Sequence, residues 1–495
     1  MSPQLEPQSR PGGVANATPP TGAQRGFRAL VMALIAVFHP RVARSRGNDA
    51  TTQIAGDSAV VTVPSDDVGP LDDAGLPRHG PCIVVANHPS GLLDPVVLSL
   101  ALGRRFAFLG KAPLFANPIG RFAMGAFDGV ALARRQDGGD ESEGRRRNEQ
   151  TFAACRSMLV AGTDLALFPE GISHDLPGLA PLKTGAARIA LSAVAQDSGP
   201  RALSIVPVGL LYESKQTFRS GVSCAVGAPI DVVAFYKANG DGAEAVRALT
   251  DLIAERLRAV VLVAESRAVW QGLCTVAALT AAPGPADLGA RHRRALLLAE
   301  GFAALSARDP AAADALVRQT LDYLAMAREV GLLDPEDAAA PRLIETQRPK
   351  ALRVIATSLS LLLLAPIALL GALLCWPIYR VIGVLAAKLA AGDDDVISTY
   401  KLLGGMVLFP ATWLAQSVVV GVALGGTLGA ATLLLGPLAG AVALRWGERV
   451  AIRRRALRAG WLRVTRAPVA YALAARRREL ALAITAALAD DQARR

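Results

Sequence analysis

Histidine and cysteine are scarce in this 495-residue chain, with five of each. The cysteines (Cys82, Cys155, Cys224, Cys274 and Cys375) show no CxxC pair and no zinc-type spacing. That argues against a disulfide framework or a thiolate metal centre; the thiols read as small buried apolar side chains in a reducing compartment. Aromatic residues make up only 5% of the chain, so Ala, Leu and Val must supply most of its apolar bulk. There is no phosphate-binding GxxxxGK[ST] loop, no HExxH, and no GxSxG around Ser90. P-loop nucleotide chemistry, the zinc-protease arrangement and a serine acyl-enzyme therefore all lack their motif. No internal repeat stands out.

Apolar residues are plentiful, at 52%, and the mean hydropathy of +0.34 is high for a wholly soluble protein. Val354–Tyr379 contains no charge, nor does Leu402–Leu444 over 43 residues. As helix the second block would reach about 65 Å, twice the roughly 30 Å apolar slab, so it should cross twice, turning at Gly425-Gly426. The net charge is +11, with eleven arginines between Arg445 and Arg478. Charge so localised suits a tail facing anionic lipid better than a nucleic-acid footprint. Arg353 and this tail both belong on the cytoplasmic side by the positive-inside rule, which requires an even number of crossings. Val354–Tyr379 is therefore expected to be a bent re-entrant or surface hairpin broken around Pro366 and Gly371, the alternative being three simple spans with the tail outside.

The remaining chain divides by pattern. Residues 1–45 read as a disordered Pro/Gly-rich arm followed by a short apolar helix, Ala29–Phe38, which suits either a membrane surface or a core. Residues 46–235 read as an α/β domain with a loop-rich lead-in to residue 80. Its expected strands are Cys82–Ala86, Phe106–Leu109, Gly129–Ala133, Asp164–Phe168, Leu203–Val208 and Val222–Val226; its expected helices are Asp94–Leu102, Gly144–Ala161, Leu182–Ala195 and Gly242–Val260. This alternation predicts a parallel or mixed sheet flanked by helices. Residues 236–345 read as a helical region without chemistry, 354–444 as membrane-embedded hairpins, and 445–495 as a basic cytoplasmic tail.

Two short stretches carry chemistry. Asn87-His88-Pro89-Ser90-Gly91-Leu92-Leu93-Asp94 follows the apolar run Cys82–Ala86, and Phe168-Pro169-Glu170-Gly171 follows another run about eighty residues on. Both fall just past strand ends, where α/β sheets place ligands. His88 has the side chain best suited to take a proton from a hydroxyl near neutral pH. Asp94 can fix its tautomer, and Glu170 can accept from the substrate. A structural histidine is the bland alternative, which Asn87, Asp94 and the preceding buried strand argue against. His88 with Asp94 alone is a poor metal set. The combination points to acyl transfer onto an alcohol, with backbone N–H groups after His88 as the natural oxyanion donors.

These motifs resemble the glycerolipid acyltransferase superfamily, which includes lysophosphatidate and glycerol-3-phosphate acyltransferases. Over about residues 80–230 four blocks match in order: Asn87-His88 with Asp94; Lys111-Ala-Pro-Leu-Phe with Pro118, Gly120 and Gly129–Arg134; Phe168–Gly171; and Val206-Pro207-Val208. Lys183-Thr-Gly185-Ala matches a recurring segment after the third block. Two departures stand out. Five residues rather than four separate His88 from Asp94, and Ile172-Ser173-His174-Asp175 replaces the usual Thr-Arg continuation. Both, with Arg134–Gly138, His174 and the apolar extension, resemble bacterial relatives of the fungal glycerol-3-phosphate/dihydroxyacetone-phosphate acyltransferases.

The resemblance implies an acyltransferase-type mixed sheet with a helical extension and a C-terminal transmembrane region. It implies catalysis by His88 and Asp94, and an acceptor bound by Glu170, Gly171, Arg134, Lys183, Lys111 and Asn87. For Arg134 and Lys183 the alternative is surface ion pairing, and for Glu170 a strand-end ion pair. Gly171 and Gly185 are expected to act through close backbone approach. No cofactor is expected beyond the acyl-CoA or acyl carrier protein co-substrate. The implied setting is a bacterial inner membrane with the catalytic domain cytoplasmic, in phosphatidate synthesis. The acceptor is glycerol 3-phosphate or, alternatively, lysophosphatidate. A reading of a different class, a phospholipid-binding membrane module without turnover, has no need of a base.

Overall fold

The computed structural model describes residues 20–38, 42–46, 71–132, 141–196, 199–215, 220–280, 288–331, 351–390 and 397–494. Residues 1–19, most of the lead-in (47–70) and Arg134 lie outside them. In chain order the elements are α1 (Gly22–Phe38), β1 (Val42–Arg46), β2 (Cys82–Ala86), α2 (Leu93–Leu102), β3 (Ala107–Lys111), a 3₁₀ turn (Ala112–Phe115), α3 (Pro118–Ala126), β4 (Val130–Leu132), α4 (Glu141–Val160), β5 (Leu165–Leu167), α5 (Gly185–Val194), β6 (Ser204–Tyr212), β7 (Val222–Val226), β8 (Ile230–Asp231), α6 (Val232–Asn239) and α7 (Ala243–Arg258). Then come α8 (Arg267–Thr280), α9 (Leu288–Arg308), α10 (Pro310–Glu329), α11 (Ala351–Ala390), α12 (Ile397–Leu424), α13 (Gly426–Thr465) and α14 (Ala467–Arg494).

The sheet is mixed, in the order β1-β7-β6-β2-β5-β3-β4, with β8 on β6. β2 lies at its centre, parallel to both β5 and β6. Every residue of β2 is buried, which is why it reads as a continuous apolar run rather than an alternating one. The pleat sends its side chains to two cores. Ile83 and Val85 pack with Ile189, Leu249 and Ile253 from α5 and α7. Cys82, Val84 and Ala86 pack with Val97 and Leu98 from α2 and with Val31 and Ile35 from α1. Burying a Leu or Val side chain contributes about 1.5–3 kcal/mol, so both faces hold the central strand in register.

The expected strands and helices fall within a few residues of those observed, but the expected boundary at residue 46 cuts through the fold. β1 pairs with β7 in parallel, and α1 seats Val31 and Ile35 in the core. Of the two readings of the apolar N-terminal segment, the core helix is the one the packing supports, although Leu30 on it stays 53% exposed.

The C-terminal part differs more. Among the described residues, three helices, Ser358–Ala390, Ile397–Leu424 and Gly426–Leu462, are long and apolar enough to cross a membrane. α11 is one continuous helix through Pro366 and Pro377, not the broken hairpin expected. Gly371 serves close packing instead: a Cβ there would sit 2.1 Å from the Ala439 carbonyl oxygen of α13. α12 and α13 do form a hairpin turning at Gly425, which adopts φ 105. Nor are residues 445–495 a simple tail. α13 runs on to Thr465, and Leu473, Leu480 and Ile484 of α14 share a core with Leu298 of α9 and Tyr323 of α10. The basic segment is thus bound to the helical region that precedes the membrane part.

Candidate active site

Because β2, β5 and β6 run parallel, their C-terminal ends reach the same sheet edge. The segments that follow them are therefore brought together although they are far apart in sequence. Asn87 is the first residue past β2. Its carboxamide accepts from the Leu210 N–H at 2.7 Å and donates to the Leu210 carbonyl at 3.1 Å, extending the β2–β6 pairing by a side-chain rung.

The next residue, His88, is held at every polar backbone atom. Its N–H donates to Glu170 Oε1 at 3.0 Å, and its carbonyl accepts from the His174 N–H at 3.1 Å. The imidazole stacks on Phe168, with centroids 3.9 Å apart and planes 9° from parallel. His88 Nδ1 meets Asp94 Oδ2 at 2.8 Å. An ionised carboxylate only accepts, so Nδ1 carries the proton and Nε2 keeps its lone pair. The additional residue between His88 and Asp94 does not prevent this pairing. The chain turns back at Gly91, with φ 37, and Leu93 N–H closes on the Ser90 carbonyl at 2.9 Å.

Asp94 stands in the first turn of α2 and is fully buried. It accepts from His88, from the Ser90 N–H at 2.7 Å and from the Tyr212 hydroxyl at 2.7 Å. Burial, and then the neighbouring Asp94 carboxylate, push the Tyr212 hydroxyl well above its ordinary pKa, so it remains a donor. The Ser90 N–H is committed to Asp94 and does not serve as an oxyanion donor.

Glu170 is the counterpart of Asp94 on the other loop. It is buried, and its oxygens take the His88 N–H, the Ala180 N–H at 2.6 Å and His174 Nε2. His174 Nδ1 accepts from the Leu176 N–H at 3.1 Å, which leaves Nε2 as the protonated, donating nitrogen. Gly171 makes the turn beyond it at φ 73, with its N–H on the Phe168 carbonyl at 3.0 Å.

Beside His88 lies a cleft of about 580 Å³, counting the open solvent at its mouth, lined among others by His174, Asp175, Tyr212, Lys215, Arg267 and Trp270. The Lys215 carbonyl also accepts from Ser398 Oγ in the first turn of α12, so the cleft lies against the start of the apolar hairpin.

Residues 72–211 match the family model described as Acyltransferase. They form an acyltransferase domain of the glycerolipid acyltransferase superfamily. Over 297 residues the chain is 27% identical to glycerol-3-phosphate O-acyltransferase 2 of Saccharomyces cerevisiae, covering 55% of this chain and 38% of that protein. Over 448 residues it is 28% identical to glycerol-3-phosphate O-acyltransferase 1 of the same yeast, covering 70% of this chain and 57% of that protein. A chloroplastic 1-acyl-sn-glycerol-3-phosphate acyltransferase of Brassica napus is 30% identical over 135 residues, covering 27% of this chain and 34% of that protein. The chain thus spans less than two thirds of the length of each of these relatives.

The acyltransferase domain brings His88, Asp94, Asn87, Glu170 and Gly171 together, and two of them, Asn87 and Glu170, make contacts within the protein that the motifs did not announce. Asn87 was expected to bind substrate; both ends of its carboxamide are engaged by Leu210. Glu170 was expected to accept from a glycerol hydroxyl; its buried oxygens already serve three protein donors, and it fixes the backbone that carries the base. Lys111 and Lys183 are exposed and do not line the cleft at His88. Arg134 lies outside the described residues. Tyr212, Lys215 and Arg267 were not anticipated. For Tyr212 a signal existed: it shares the strand face of Val208 and Leu210, two-residue steps beyond the fourth block. Lys215 and Arg267 carried none.

Proposed function

We propose that this chain is a membrane-bound O-acyltransferase that moves a fatty acyl group from acyl-CoA or acyl carrier protein to the 1-hydroxyl of glycerol 3-phosphate, in phosphatidate synthesis. The observation that carries the reading is the His88–Asp94 pair, at 2.8 Å, with Nε2 as the remaining base beside the cleft. In this mechanism Nε2 takes the hydroxyl proton as the oxygen attacks the thioester carbonyl. Asp94, held by Ser90 and Tyr212, keeps the ring oriented and steadies the imidazolium that forms. Collapse of the tetrahedral intermediate breaks the C–S bond, and the imidazolium returns its proton to the leaving thiolate. Glu170 and His174 position the His88 backbone and touch no reacting atom.

The yeast relatives support the glycerol 3-phosphate acceptor. The chloroplastic relative supports lysophosphatidate as the second reading, since it offers the same phosphate on a lipid. We place the protein in a cell membrane, a bacterial inner membrane by its resemblance to the bacterial group, with the catalytic domain and the basic helices both on the cytoplasmic side; in this reading the α12–α13 hairpin crosses and returns, and α11 packs against it without adding a third crossing. The shared core of α14 with α9 and α10 supports a common side for these parts. Efficient labelling, from the far side only, of a cysteine placed at Arg455 would overturn that orientation.

Product analysis with labelled glycerol 3-phosphate and acyl-CoA tests the activity, with lysophosphatidate as the parallel acceptor. His88→Ala should lower turnover by roughly 10²–10⁴-fold with the fold intact. Full activity of that variant would refute the role of the base; a parent protein that turned over neither acceptor would instead favour the non-catalytic module.

A further inference from the structure

Beyond the family match at residues 72–211, the same cleft receives two cations from elements to which the motifs assign nothing. Lys215 follows β6. Its ammonium, whose side chain is 13% exposed, donates to the Pro89 carbonyl at 2.8 Å and pairs with Asp175. It is thus fastened to the residue directly after His88. Arg267 is the first residue of α8, a 14-residue helix. Its Nη1 lies 3.2 Å from Asp175 Oδ1, and its guanidinium lies over Trp270, 4.6 Å from the ring centroid.

The charge balance of this corner favours an anion. Two basic side chains share the single carboxylate of Asp175. The other carboxylate lining the cleft, Glu213, is engaged by Arg291 at 3.1 Å and by the Gly221 N–H at 3.0 Å. His174 is fixed as a neutral donor to Glu170, as derived above. Lys215 uses two of its three donors on Pro89 and Asp175, and Arg267 is held to Asp175 by an ion pair alone. The helix dipole of α8 adds positive potential at Arg267. Asp175 belongs to the continuation Ile172–Asp175, the stretch that departs from the family pattern by lacking an arginine.

We infer that Lys215 and Arg267 form a phosphate-monoester subsite beside His88, with Asp175 holding the two cations in place until the phosphate takes its position between them. The inference rests on the acyltransferase reading and assigns residues within it. It also gives the helical region after the α/β domain a part in substrate recognition, through the first turn of α8. A phosphate monoester can come from either substrate: the glycerol phosphate of the acceptor, or the 3′-phosphate of CoA on the donor.

The test is steady-state kinetics on the full-length protein in membranes, with Arg267→Met, Arg267→Lys, Lys215→Met and Asp175→Asn, varying glycerol 3-phosphate and acyl-CoA separately. Direct binding of glycerol 3-phosphate and of CoA is measured alongside. Removing either cation should raise KM for one substrate by roughly 10- to 100-fold with a smaller change in kcat. Arg267→Lys should recover part of that loss. Asp175→Asn should lower the same KM, since it removes the competing carboxylate. A shift confined to glycerol 3-phosphate assigns the subsite to the acceptor, and one confined to acyl-CoA assigns it to the donor. Unchanged KM and binding for both in Arg267→Met, whose side chain is 42% exposed and tolerant of exchange, would overturn the subsite. If the parent protein showed no turnover yet bound either ligand through these residues, the proposed activity would fall and the subsite would stand.

Discussion

Asp94 and Glu170 are two buried carboxylates that hold the same histidine at different atoms. Asp94 holds the ring of His88, and Glu170 holds its backbone N–H. Each has three donors around it, and each comes shortly after a parallel strand, Asp94 in the first turn of α2 and Glu170 on the loop beyond β5. The difference lies in what they control. Asp94 decides which imidazole nitrogen is the base, whereas Glu170 decides where the base stands. Ring tautomer is an electronic setting and loop position a mechanical one, so loss of one partner should leave different kinetic signatures.

The largest separation should come from Asp94→Asn. Its amide nitrogen in place of Oδ2 would face the Nδ1 proton or force the other tautomer, and kcat should fall by about 10³–10⁴-fold. Thermal stability should change far less than the rate, and a loss of less than tenfold would remove Asp94 from the tautomer role. Glu170→Gln should have a smaller effect on rate, roughly 10- to 100-fold in kcat. It should lower stability measurably, because a neutral amide oxygen binds the His88 and Ala180 N–H groups less strongly and its NH₂ leaves a buried donor to satisfy. A rise in KM for glycerol 3-phosphate with kcat and melting temperature unchanged would instead make Glu170 a substrate contact. Tyr212→Phe deletes one of the three donors to Asp94 and should cost about tenfold in rate or less. An effect as large as that of Asp94→Asn would mean that the hydroxyl, not the backbone N–H of Ser90, is what keeps Asp94 aimed.

A second contrast concerns apolar surface. In the sheet, Cys82–Ala86 is apolar and entirely buried. In α11 and α12, Leu362, Leu373 and Val422 are 71%, 72% and 86% exposed. Sequence alone separates these cases, because strand-length runs suit a protein core and uncharged helical runs of roughly 20 residues or more, such as Val354–Tyr379 and the run from Leu402, suit a bilayer. What sequence misplaced was the conformation of α11. Pro366 and Gly371 read in sequence as a break. Pro366 and Pro377 are accommodated within a continuous helix, as is common in apolar helices whose neighbours satisfy freed backbone groups, and Gly371 is small because the α13 backbone passes against it.

The sequence by itself determined the central strand, the loops that end it, and the base with its orienting carboxylate, because local apolar runs and short motif spacing encode them directly. It also determined the apolar C-terminal helices, which follow from the length of their uncharged runs. Only the tertiary structure decided that Glu170 serves the backbone of His88, that Asn87 serves β6, and that Tyr212 completes the Asp94 cage. The same holds for the meeting of Lys215 and Arg267 across Asp175. These contacts join residues 40 to 123 positions apart, and such partners are set by which strand ends share an edge of the sheet, a property of strand order that no local pattern of side chains carries.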